Sequence, residues 1–323
     1  MFLIQPCKAF APPSIGNFAV GFDVLGVALE SVTGEIWGDI VEILPDSHDS
    51  FSIVGAYASE LCGDAADNLV MLARKLFEDS LLEIGRKPET MAITLRKVLP
   101  ICSGLGSSAS SIVAALVALN HAYNSPFSTV KLLQLAGQAE GSVSGSIHLD
   151  NVAPSLLGGA QVCVNRSESM PIALPFSLPD SWLLVVVHPE LQVSTAMARE
   201  VLPSQIPLHT GVSYWANLAA FLTALHQGNT DLAKELLRDS LIEPYRAPLV
   251  KGFSEVRSAA LGAGAFACSL SGSGPSVFAV ADSAEIAEQI SAMMQVAWQN
   301  MEIHSVGCVC RANGRGAKLV EVP

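Results

Sequence analysis

The stretch PICSGLGSSASS, residues 100–111, combines glycines and serines directly before the apolar run IVAALVALNHAY, residues 112–123. An α-helix leaves its first four amide groups without internal partners, and its dipole makes that end partly positive. A glycine-rich turn before such an end lets backbone N–H groups approach a phosphate closely. The pattern therefore predicts an anion-binding turn that leads into a helix from about Ser107 to Tyr123.

The same stretch differs from two common phosphate-binding motifs. The pattern GxxxxGK[ST] occurs nowhere in the chain, so a Walker A loop is excluded. The glycines do not follow G-x-G-x-x-G either, which disfavours a Rossmann dinucleotide site. An ordinary serine-capped helix after a tight turn stays open as an alternative, because glycine-rich turns are common.

A second helical pattern follows the turn NSP and runs from Ser128 to about Glu140. Two consecutive helices with a short connection usually pack antiparallel. They advance roughly 24 and 18 Å at 1.5 Å per residue, so Glu140 should return close to Ser108. A hydroxyl and a carboxylate are hard oxygen ligands of the kind that Mg²⁺ prefers. The spacing predicts a Mg²⁺ site at Ser108 and Glu140, although a glutamate at a helix end is also often solvated.

Three polar side chains, His148, Asp150 and Asn151, lie within four positions of the segment SVSGSIHLDNVAPSLLGG, residues 142–159. Small residues surround them, and an apolar strand pattern follows. Polar groups drawn into such surroundings need hydrogen-bond partners. We expect the three to line a cleft; the alternative for a single histidine is a structural role.

Composition limits the classes of function open to the chain. Its 323 residues are 50% hydrophobic and 15% charged, with 18 Lys and Arg against 30 Asp and Glu, a net charge of −12. Such an acidic protein is not expected to hold nucleic acid or an anionic membrane by bulk electrostatics. An anionic ligand must instead be bound by a local neutral or cationic site.

The cysteines favour a reducing compartment. They are scattered, odd in number and form no C-x-x-C motif, which predicts reduced thiols in a cytoplasmic protein. The run WLLVVV, residues 182–187, predicts a buried strand and is far short of the ~20 residues that cross a bilayer. The cysteines are Cys7, Cys62, Cys102, Cys163, Cys268, Cys308 and Cys310.

Strand and helix patterns interleave along the chain without a strict β-α repeat, which favours an α+β fold over a doubly wound sheet. The strand pattern MAITLRKVL, residues 91–99, leads directly into the glycine-rich turn. Helical patterns cover 69–85, 213–227 and 284–299, and another opens at Thr230.

The proline-rich segment NRSESMPIALPFSLPDS, residues 165–181, has little periodicity and predicts a domain boundary. We expect an N-terminal nucleotide-binding domain over residues 1–168 and a C-terminal domain over residues 169–323.

Three motifs, in order and at family-like spacing, resemble the GHMP superfamily of galactokinase, homoserine kinase, mevalonate kinase and phosphomevalonate kinase. They are APPSIGNFAVGFDVLGVAL (11–29), PICSGLGSSAS (100–110) and SLSGSGPSVFAV (269–280). Within the superfamily, three further stretches are similar to those of homoserine kinases. They are GSIHLDNVAPSLLGG (145–159), STAMAREVLP (194–203) and EPYRAPLVKGF (243–253).

The resemblance implies a two-domain fold, with an N-terminal domain like domain 2 of ribosomal protein S5 and a ferredoxin-like C-terminal domain. It implies ATP and Mg²⁺, with the γ-phosphoryl group passing to the side-chain hydroxyl of L-homoserine in threonine biosynthesis. It also implies a homodimer.

The resemblance further assigns roles to individual positions. Asn68 falls where the family contacts adenine, and Ser108 and Glu140 match the Mg²⁺ ligands. Asn151 lies nearest the reacting hydroxyl, and Asp150 is a general base in some relatives, although direct in-line attack without a base is expected of homoserine kinases. The residues assigned to the ATP phosphates are Pro100, Ile101, Cys102, Ser103, Gly104, Leu105, Gly106, Ser107, Ser108, Ala109 and Ser110. Those assigned to the acceptor are Asn17, Asp23, His148, Asn151, Thr195, Arg199 and Arg246, with Arg199 also counted as catalytic.

The acceptor assignment agrees with simple chemistry. Planar guanidinium groups such as those of Arg199 and Arg246 bind carboxylates through paired hydrogen bonds. Asp23 supplies an acceptor for the ammonium group of a zwitterionic amino acid. A surface position without a task is the alternative for each arginine taken alone.

Two departures from the family pattern affect these expectations. The N-terminal motif reads NFAVGFD, where the family commonly has a Leu-Gly-Pro-Gly run before Phe-Asp. Cys102 occupies a phosphate-loop position where glycine is expected, and its β-carbon restricts the backbone.

Three other functions remain open at this point. The first is a superfamily kinase for a sugar or isoprenoid alcohol, which would leave the arginines and Asp23 unexplained. The second is a nucleotide-binding sensor without activity, against which the retention of Ser108 and Glu140 argues. The third is a purely structural role for the glycine-rich loops.

Overall fold

The computed structural model describes residues 4–61, 68–145, 147–165 and 171–321. Within these ranges it contains strands and helices in mixed order, which confirms the α+β class. The strands are β1 (Cys7–Ala11), β2 (Ser14–Gly16), β3 (Leu25–Ser31), β4 (Asp39–Pro45), β5 (Ser50–Val54), β6 (Met91–Arg96), β7 (Ala160–Val164), β8 (Ile172–Phe176), β9 (Leu183–Pro189), β10 (Ala267–Leu270), β11 (Val277–Ala281), β12 (Ser305–Ala312) and β13 (Lys318–Leu319).

The helices include all of those that the sequence patterns predicted. They are α1 (Leu69–Glu83), α2 (Ser107–Ala122), α3 (Thr129–Ser144), α4 (Val152–Leu157), α5 (Thr195–Glu200), α6 (Leu208–His226), α7 (Thr230–Leu236), α8 (Glu243–Arg246), α9 (Phe253–Gly262) and α10 (Ala284–Gln299), with short 3₁₀ turns at Ala58–Glu60 and Ala247–Leu249. None of the helices in the described ranges is both long and apolar enough to pass through a bilayer.

Two helix boundaries differ from the predicted ones. Helix α3 continues past Glu140 to Ser144 and ends at Gly145, whose left-handed φ of 78° closes the last turn. Helix α6 begins at Leu208 rather than Ser213, directly after Pro207, whose fixed φ suits the start of a helix.

The strands form two sheets. The first has the order β13-β1-β4-β6-β5, antiparallel except for the parallel pair β5 and β6. The second has the order β10-β11-β9-β12-β3-β7-β8, with β2 paired to β3. Strands β3 and β7 precede the predicted domain boundary, yet they belong to the same sheet as β9 to β12. The boundary itself, between residues 168 and 169, lies outside the described residues, so the division at that point stays a prediction.

Apolar packing fixes the position of helix α2 in the fold. Its buried face consists largely of small side chains such as Ala109, Ala114 and Ala118, so the helix packs closely against β1 and β4. One core joins the first sheet to α1, α2 and α3, and two others cover the opposite faces of the second sheet. The start of α2 is therefore held at the junction of the two sheets, next to the loop between β10 and β11.

The six cysteines within the described ranges are free thiols. Cys62 lies outside those ranges. Reduced thiols in a cytoplasmic protein stay a prediction.

Candidate active site

A cavity of about 520 Å³ opens at the N-terminus of α2. Its wall combines residues from all three sequence motifs and from α3 and α5. Predicted site residues on this wall are Asn17, Asp23, Asn68, Ile101, Cys102, Ser103, Gly104, Gly106, Ser107, Ser108, Glu140, His148, Asp150, Asn151, Thr195, Arg199 and Arg246.

Four residues of the predicted phosphate-binding segment do not line the cavity. Leu105 and Ala109 belong to the apolar cores, and Pro100 is buried. The Ser110 hydroxyl donates a hydrogen bond of 2.7 Å to the Ala11 carbonyl and accepts one of 3.0 Å from an amide of β4. These side chains hold the loop in place, and contact of the same residues with a nucleotide stays a prediction.

The phosphate loop, residues 100–106, is fixed by a second glycine-rich loop, residues 269–275. The Ser271 hydroxyl donates a hydrogen bond of 2.7 Å to the Gly104 carbonyl. Gly104 has a left-handed φ of 77°, and a β-carbon there would lie 2.3 Å from the Ser271 carbonyl oxygen. Glycine is thus required at this position for conformational and steric reasons. Gly272 and Ser273 of this second loop also line the cavity, although their sequence motif predicted no site role for them.

Ser108 and Glu140 are brought together as predicted. The Ser108 hydroxyl donates a hydrogen bond of 2.9 Å to Glu140 Oε1. Burial raises the pKa of Glu140, whereas the bond from Ser108 and the positive charge of Lys97 act in the opposite direction. A buried carboxylate beside a hydroxyl at the open end of a helix is a set of oxygen donors suited to a hard cation.

Lys97, at the end of β6, is a site residue that the sequence analysis missed. Its ammonium group pairs with the Asp39 carboxylate and donates to the Ser107 carbonyl at 2.9 Å and the Ser111 hydroxyl at 3.0 Å. Asp39 also accepts from the amides of Val98 and Leu99, at 2.9 and 3.1 Å. This buried cluster ties β4 and the start of the phosphate loop to the first turn of α2. The only sequence signal was that Lys97 falls in register with the apolar positions 91, 93 and 95 of the alternating pattern MAITLRKVL.

On the acceptor side, Asp23 and Arg199 are paired with each other. Arg199 donates two hydrogen bonds to the Asp23 carboxylate, at 2.8 and 3.2 Å. His148 Nδ1 lies 3.4 Å from the same carboxylate. Burial lowers the pKa of His148, against the attraction of Asp23. The two groups predicted to hold opposite ends of a zwitterion therefore satisfy each other in this structure.

Arg246 is buried and held by backbone carbonyls. Its Nε donates to the Ala198 carbonyl at 3.0 Å, and Nη1 donates to the Gly272 carbonyl at 3.1 Å. Burial lowers the pKa of Arg246, and the positive charge of Arg199 acts in the same direction. The guanidinium is thus locked between α5 and the second glycine-rich loop.

Asn17 links the first motif to the rest of the site. Its backbone adopts a left-handed φ of 67°, and its amide donates to Asp150 Oδ2 at 3.1 Å. Its side chain donates to the Gly272 carbonyl at 3.0 Å and accepts from the Asp23 amide at 2.9 Å. Burial raises the pKa of Asp150 to about 7, and the nearby charge of Asp23 adds to the effect.

The remaining predicted residues lie at the ends of helices. Asn151 immediately precedes α4, and its side-chain oxygen accepts from the Ser14 hydroxyl at 2.9 Å. Thr195 is the first residue of α5. Asn68 caps α1 by accepting from the Val70 amide at 2.9 Å. The same cavity is lined by the apolar side chains of Phe51, Ile53, Leu61, Leu69 and Leu95.

Comparison with known proteins gives the family. The sequence model of the GHMP kinases N terminal domain matches residues 68–159, and that of the GHMP kinases C terminal domain matches residues 221–300. The crystal structure of a homoserine kinase from Cytophaga hutchinsonii is 34% identical, with 99% of both chains covered and a TM-score of 0.88. The chain belongs to the GHMP kinases, a family of small-molecule kinases, and the predicted fold and family resemblance are confirmed.

More distant structures share the fold. A putative homoserine kinase from Listeria monocytogenes is 22% identical over 99% of this chain and 100% of that one, with a TM-score of 0.71. A Lactococcus lactis galactokinase in complex with galactose is 14% identical over 97% and 95%, with a TM-score of 0.69. Family members of different specificity thus have the same architecture, and the acceptor has to be argued from the site residues of this chain.

Proposed function

We propose that this protein transfers the γ-phosphoryl group of ATP to the side-chain hydroxyl of L-homoserine and forms O-phospho-L-homoserine, a step of threonine biosynthesis. The observation that carries the proposal is the presence of Asp23, Arg199 and Arg246 on the wall of the same cavity as the phosphate loop. The similarity to the Cytophaga hutchinsonii homoserine kinase, at 34% identity, supports the same acceptor. A homodimer stays a prediction.

The residues present fit ATP. The apolar side chains on the cavity wall suit a purine ring, and the side-chain NH₂ group of Asn68, which lies on the same wall, would bind its polar edge. The backbone of the phosphate loop and the N-terminus of α2 supply N–H groups for the phosphates, since Gly106 caps the helix without a side chain. The cavity of about 520 Å³ is continuous from this wall to the acceptor residues.

The residues also fit Mg²⁺. Ser108 and Glu140 would hold it, because their oxygens already lie 2.9 Å apart. Burial of Glu140 disfavours its charged form, and a cation would offset that cost. When bound, the metal neutralises charge on the phosphates.

The acceptor residues match a zwitterionic amino acid. Its ammonium group would take the Asp23 carboxylate, and its carboxylate would take the guanidinium groups, so both members of the Asp23–Arg199 pair would exchange one partner for another. A neutral sugar would have to break this ion pair without replacing either charge, which is unfavourable in a partly desolvated site.

The chemistry is a direct displacement. The acceptor hydroxyl oxygen forms a bond to the γ-phosphorus as the bond to the ADP oxygen breaks, and the hydroxyl proton moves to a phosphoryl oxygen of the transferred group or to a base. Phosphoryl transfer depends mainly on alignment and charge stabilisation. Asn151, which immediately precedes α4, would orient the hydroxyl, and Asp150 would accept the proton if a base is used. We expect attack without a base.

An acceptor panel tests the proposal. Purified protein with MgATP is supplied with L-homoserine, mevalonate, galactose or shikimate, and ADP release is measured. Two truncated analogues serve as matched controls, 4-hydroxybutanoate without the ammonium group and 3-aminopropan-1-ol without the carboxylate. We expect ADP release with L-homoserine and with none of the other five compounds. A preference for mevalonate or galactose would identify another kinase of the family.

Two further outcomes would identify the remaining alternatives. ATP binding without turnover of any acceptor would indicate a nucleotide sensor. No ATP binding at millimolar concentration would show that the glycine-rich loops are structural.

A further inference from the structure

The ring of Phe22 lies beside both arginines of the acceptor site. Its centroid is 5.0 Å from the Arg246 guanidinium carbon and 5.8 Å from that of Arg199. Both distances are within the range in which a cation is attracted to the face of an aromatic ring. Phe22 belongs to the GFD segment of the first motif, residues 21–23, and the motif alone predicted no role for it.

Such a ring is useful because the two guanidinium groups repel each other. Arg199 disfavours the charged form of Arg246, as does burial, and the carboxylates of Asp23, Asp150 and Asp239 oppose the effect. A carboxylate ligand needs both cations close together in a fixed geometry. The electron-rich ring face attracts both groups without carrying a charge that would compete with the ligand.

The segment that carries the ring is anchored to α6 as well as to Arg199. The Phe22 amide donates a hydrogen bond of 2.9 Å to the Tyr214 hydroxyl, on the buried side of α6. The next residue, Asp23, has a left-handed φ of 57° and binds Arg199 through its side chain. The position of the ring is therefore set by the first motif and α6, whereas the arginines come from α5 and α8.

We propose that Phe22 is a positioning residue whose ring face sets the spacing of Arg199 and Arg246 and thereby the preference for an acceptor that carries a carboxylate. The inference rests on the proposed function for its consequence, but the contact itself can be tested without substrate. Phe22 does not have to touch the acceptor in this role.

Fluorination of the ring separates this role from simple packing. Replacing Phe22 by 4-fluoro-, 3,5-difluoro- and 3,4,5-trifluorophenylalanine weakens the negative ring face with little change of shape. We expect the KM for L-homoserine to rise stepwise, by about 10-fold for the trifluoro variant, with kcat and the KM for ATP unchanged. Phe22→Tyr should retain the wild-type KM, and Phe22→Leu should raise it like the trifluoro variant.

Phe18 provides the matched control. Phe18 lies four residues earlier in the chain, and its ring is fully buried. The ring stacks on that of Phe278, with 5.5 Å between the two centroids, and among the described residues no cation lies over it. The same fluorinated series at Phe18 should leave the KM for L-homoserine unchanged. Equal effects at both positions, or a flat response at Phe22, would overturn the inference.

A double-mutant cycle tests the contact in the absence of substrate. The free energies of unfolding of wild type, Phe22→Leu, Arg199→Gln and the double variant are compared by urea denaturation. Loss of the ring should destabilise the protein less when Arg199 is already glutamine. Additive effects would overturn the inference, whatever the acceptor is. Measurable coupling in a protein that does not phosphorylate L-homoserine would refute the proposed function and retain the role of Phe22 in holding the arginines.

Discussion

The Ser108 hydroxyl donates a hydrogen bond of 2.9 Å to the Glu140 carboxylate, although 32 residues separate them in the chain. Helices α2 and α3 form an antiparallel pair joined by a short turn, so the first turn of α2 meets the second half of α3. The pair lies on the cavity wall, and neighbouring residues of both helices, such as Ala109 and Ala139, belong to the first core. Burial disfavours the charged form of Glu140, so this carboxylate destabilises the fold when no cation is bound beside it.

We expect Glu140→Gln to remove activity and to stabilise the protein in the absence of divalent cations. The pKa of Glu140 is raised above 4.5, so its burial lowers the free energy of unfolding most at neutral pH. Below pH 4.5 both states are protonated and the difference disappears. The measurement is the melting temperature of both proteins in EDTA between pH 7 and pH 4.5, with kcat falling at least ~100-fold in MgATP.

The exposed Glu83 provides the control for this substitution. Glu83→Gln should change neither kcat nor the pH dependence of the melting temperature. A Glu140→Gln protein that is less stable than wild type at pH 7 would show that the carboxylate has a structural role.

Substitutions of Arg246 and of Asp150 should change different kinetic constants, the KM for L-homoserine in the first case and kcat in the second. Arg246→Leu removes a charged partner of the acceptor and should raise the KM for L-homoserine by about 100-fold, with Arg246→Lys in between. Asp150→Asn keeps an oxygen for the Asn17 amide and should lower kcat by less than about 10-fold.

Steady-state kinetics across pH 6 to 9 show whether Asp150 acts as a general base, because its pKa is raised to about 7 and its protonation changes within this range. Without a base, the kcat profiles of wild type and Asp150→Asn should have the same shape. A loss of wild-type kcat below pH 7 that is absent in the variant would identify Asp150 as a general base.

At position 102 we expect glycine to give a more stable protein than alanine, which is the reverse of the usual order within a helix. It has a left-handed φ of 50°, which strains any residue with a β-carbon. We expect Cys102→Gly to be more stable than Cys102→Ala by about 0.5–1 kcal/mol in urea denaturation. At Ala216, an exposed position within α6, glycine should instead destabilise by about 1 kcal/mol. Alanine as the more stable residue at position 102 would show that the loop relaxes.

His188 should make the protein sensitive to acid. It hydrogen-bonds with Ser276 at 3.0 Å, and the Ser276 amide donates to the Ser103 carbonyl in the phosphate loop. Burial lowers the pKa of His188 from 6.5 to about 4. The unfolded state therefore binds a proton that the folded state does not, and stability falls as the pH drops from 6.5 toward 4.

His188→Gln removes this proton linkage and keeps a polar group for Ser276. Between pH 7 and pH 4.5 it should lose about 2 kcal/mol less unfolding free energy than wild type. His226→Gln, an exposed change on α6, should follow wild type. Identical acid sensitivity of all three proteins would refute the prediction.

Much of the local structure could be predicted because it depends on near neighbours in the chain. The Gly/Ser turn before α2, the return of Glu140 along α3 and the caps of α1 and α3 follow from helix periodicity and capping preferences. The association of Arg199 and Arg246 with the first motif came only from the family resemblance, since the two residues lie on short helices far apart in the chain.

The sequence by itself determined most of the helices and strands, the α+β class and the glycine-rich turn before α2, because these depend on side-chain pattern and on local backbone preferences. Only the tertiary structure decided that Asp23 pairs with Arg199, that Lys97 is buried beside Asp39, and that Phe22 lies beside two cations. Each of these contacts joins residues from separate elements. They depend on how the two sheets and their helices pack, and side-chain periodicity along one segment carries no information about that packing.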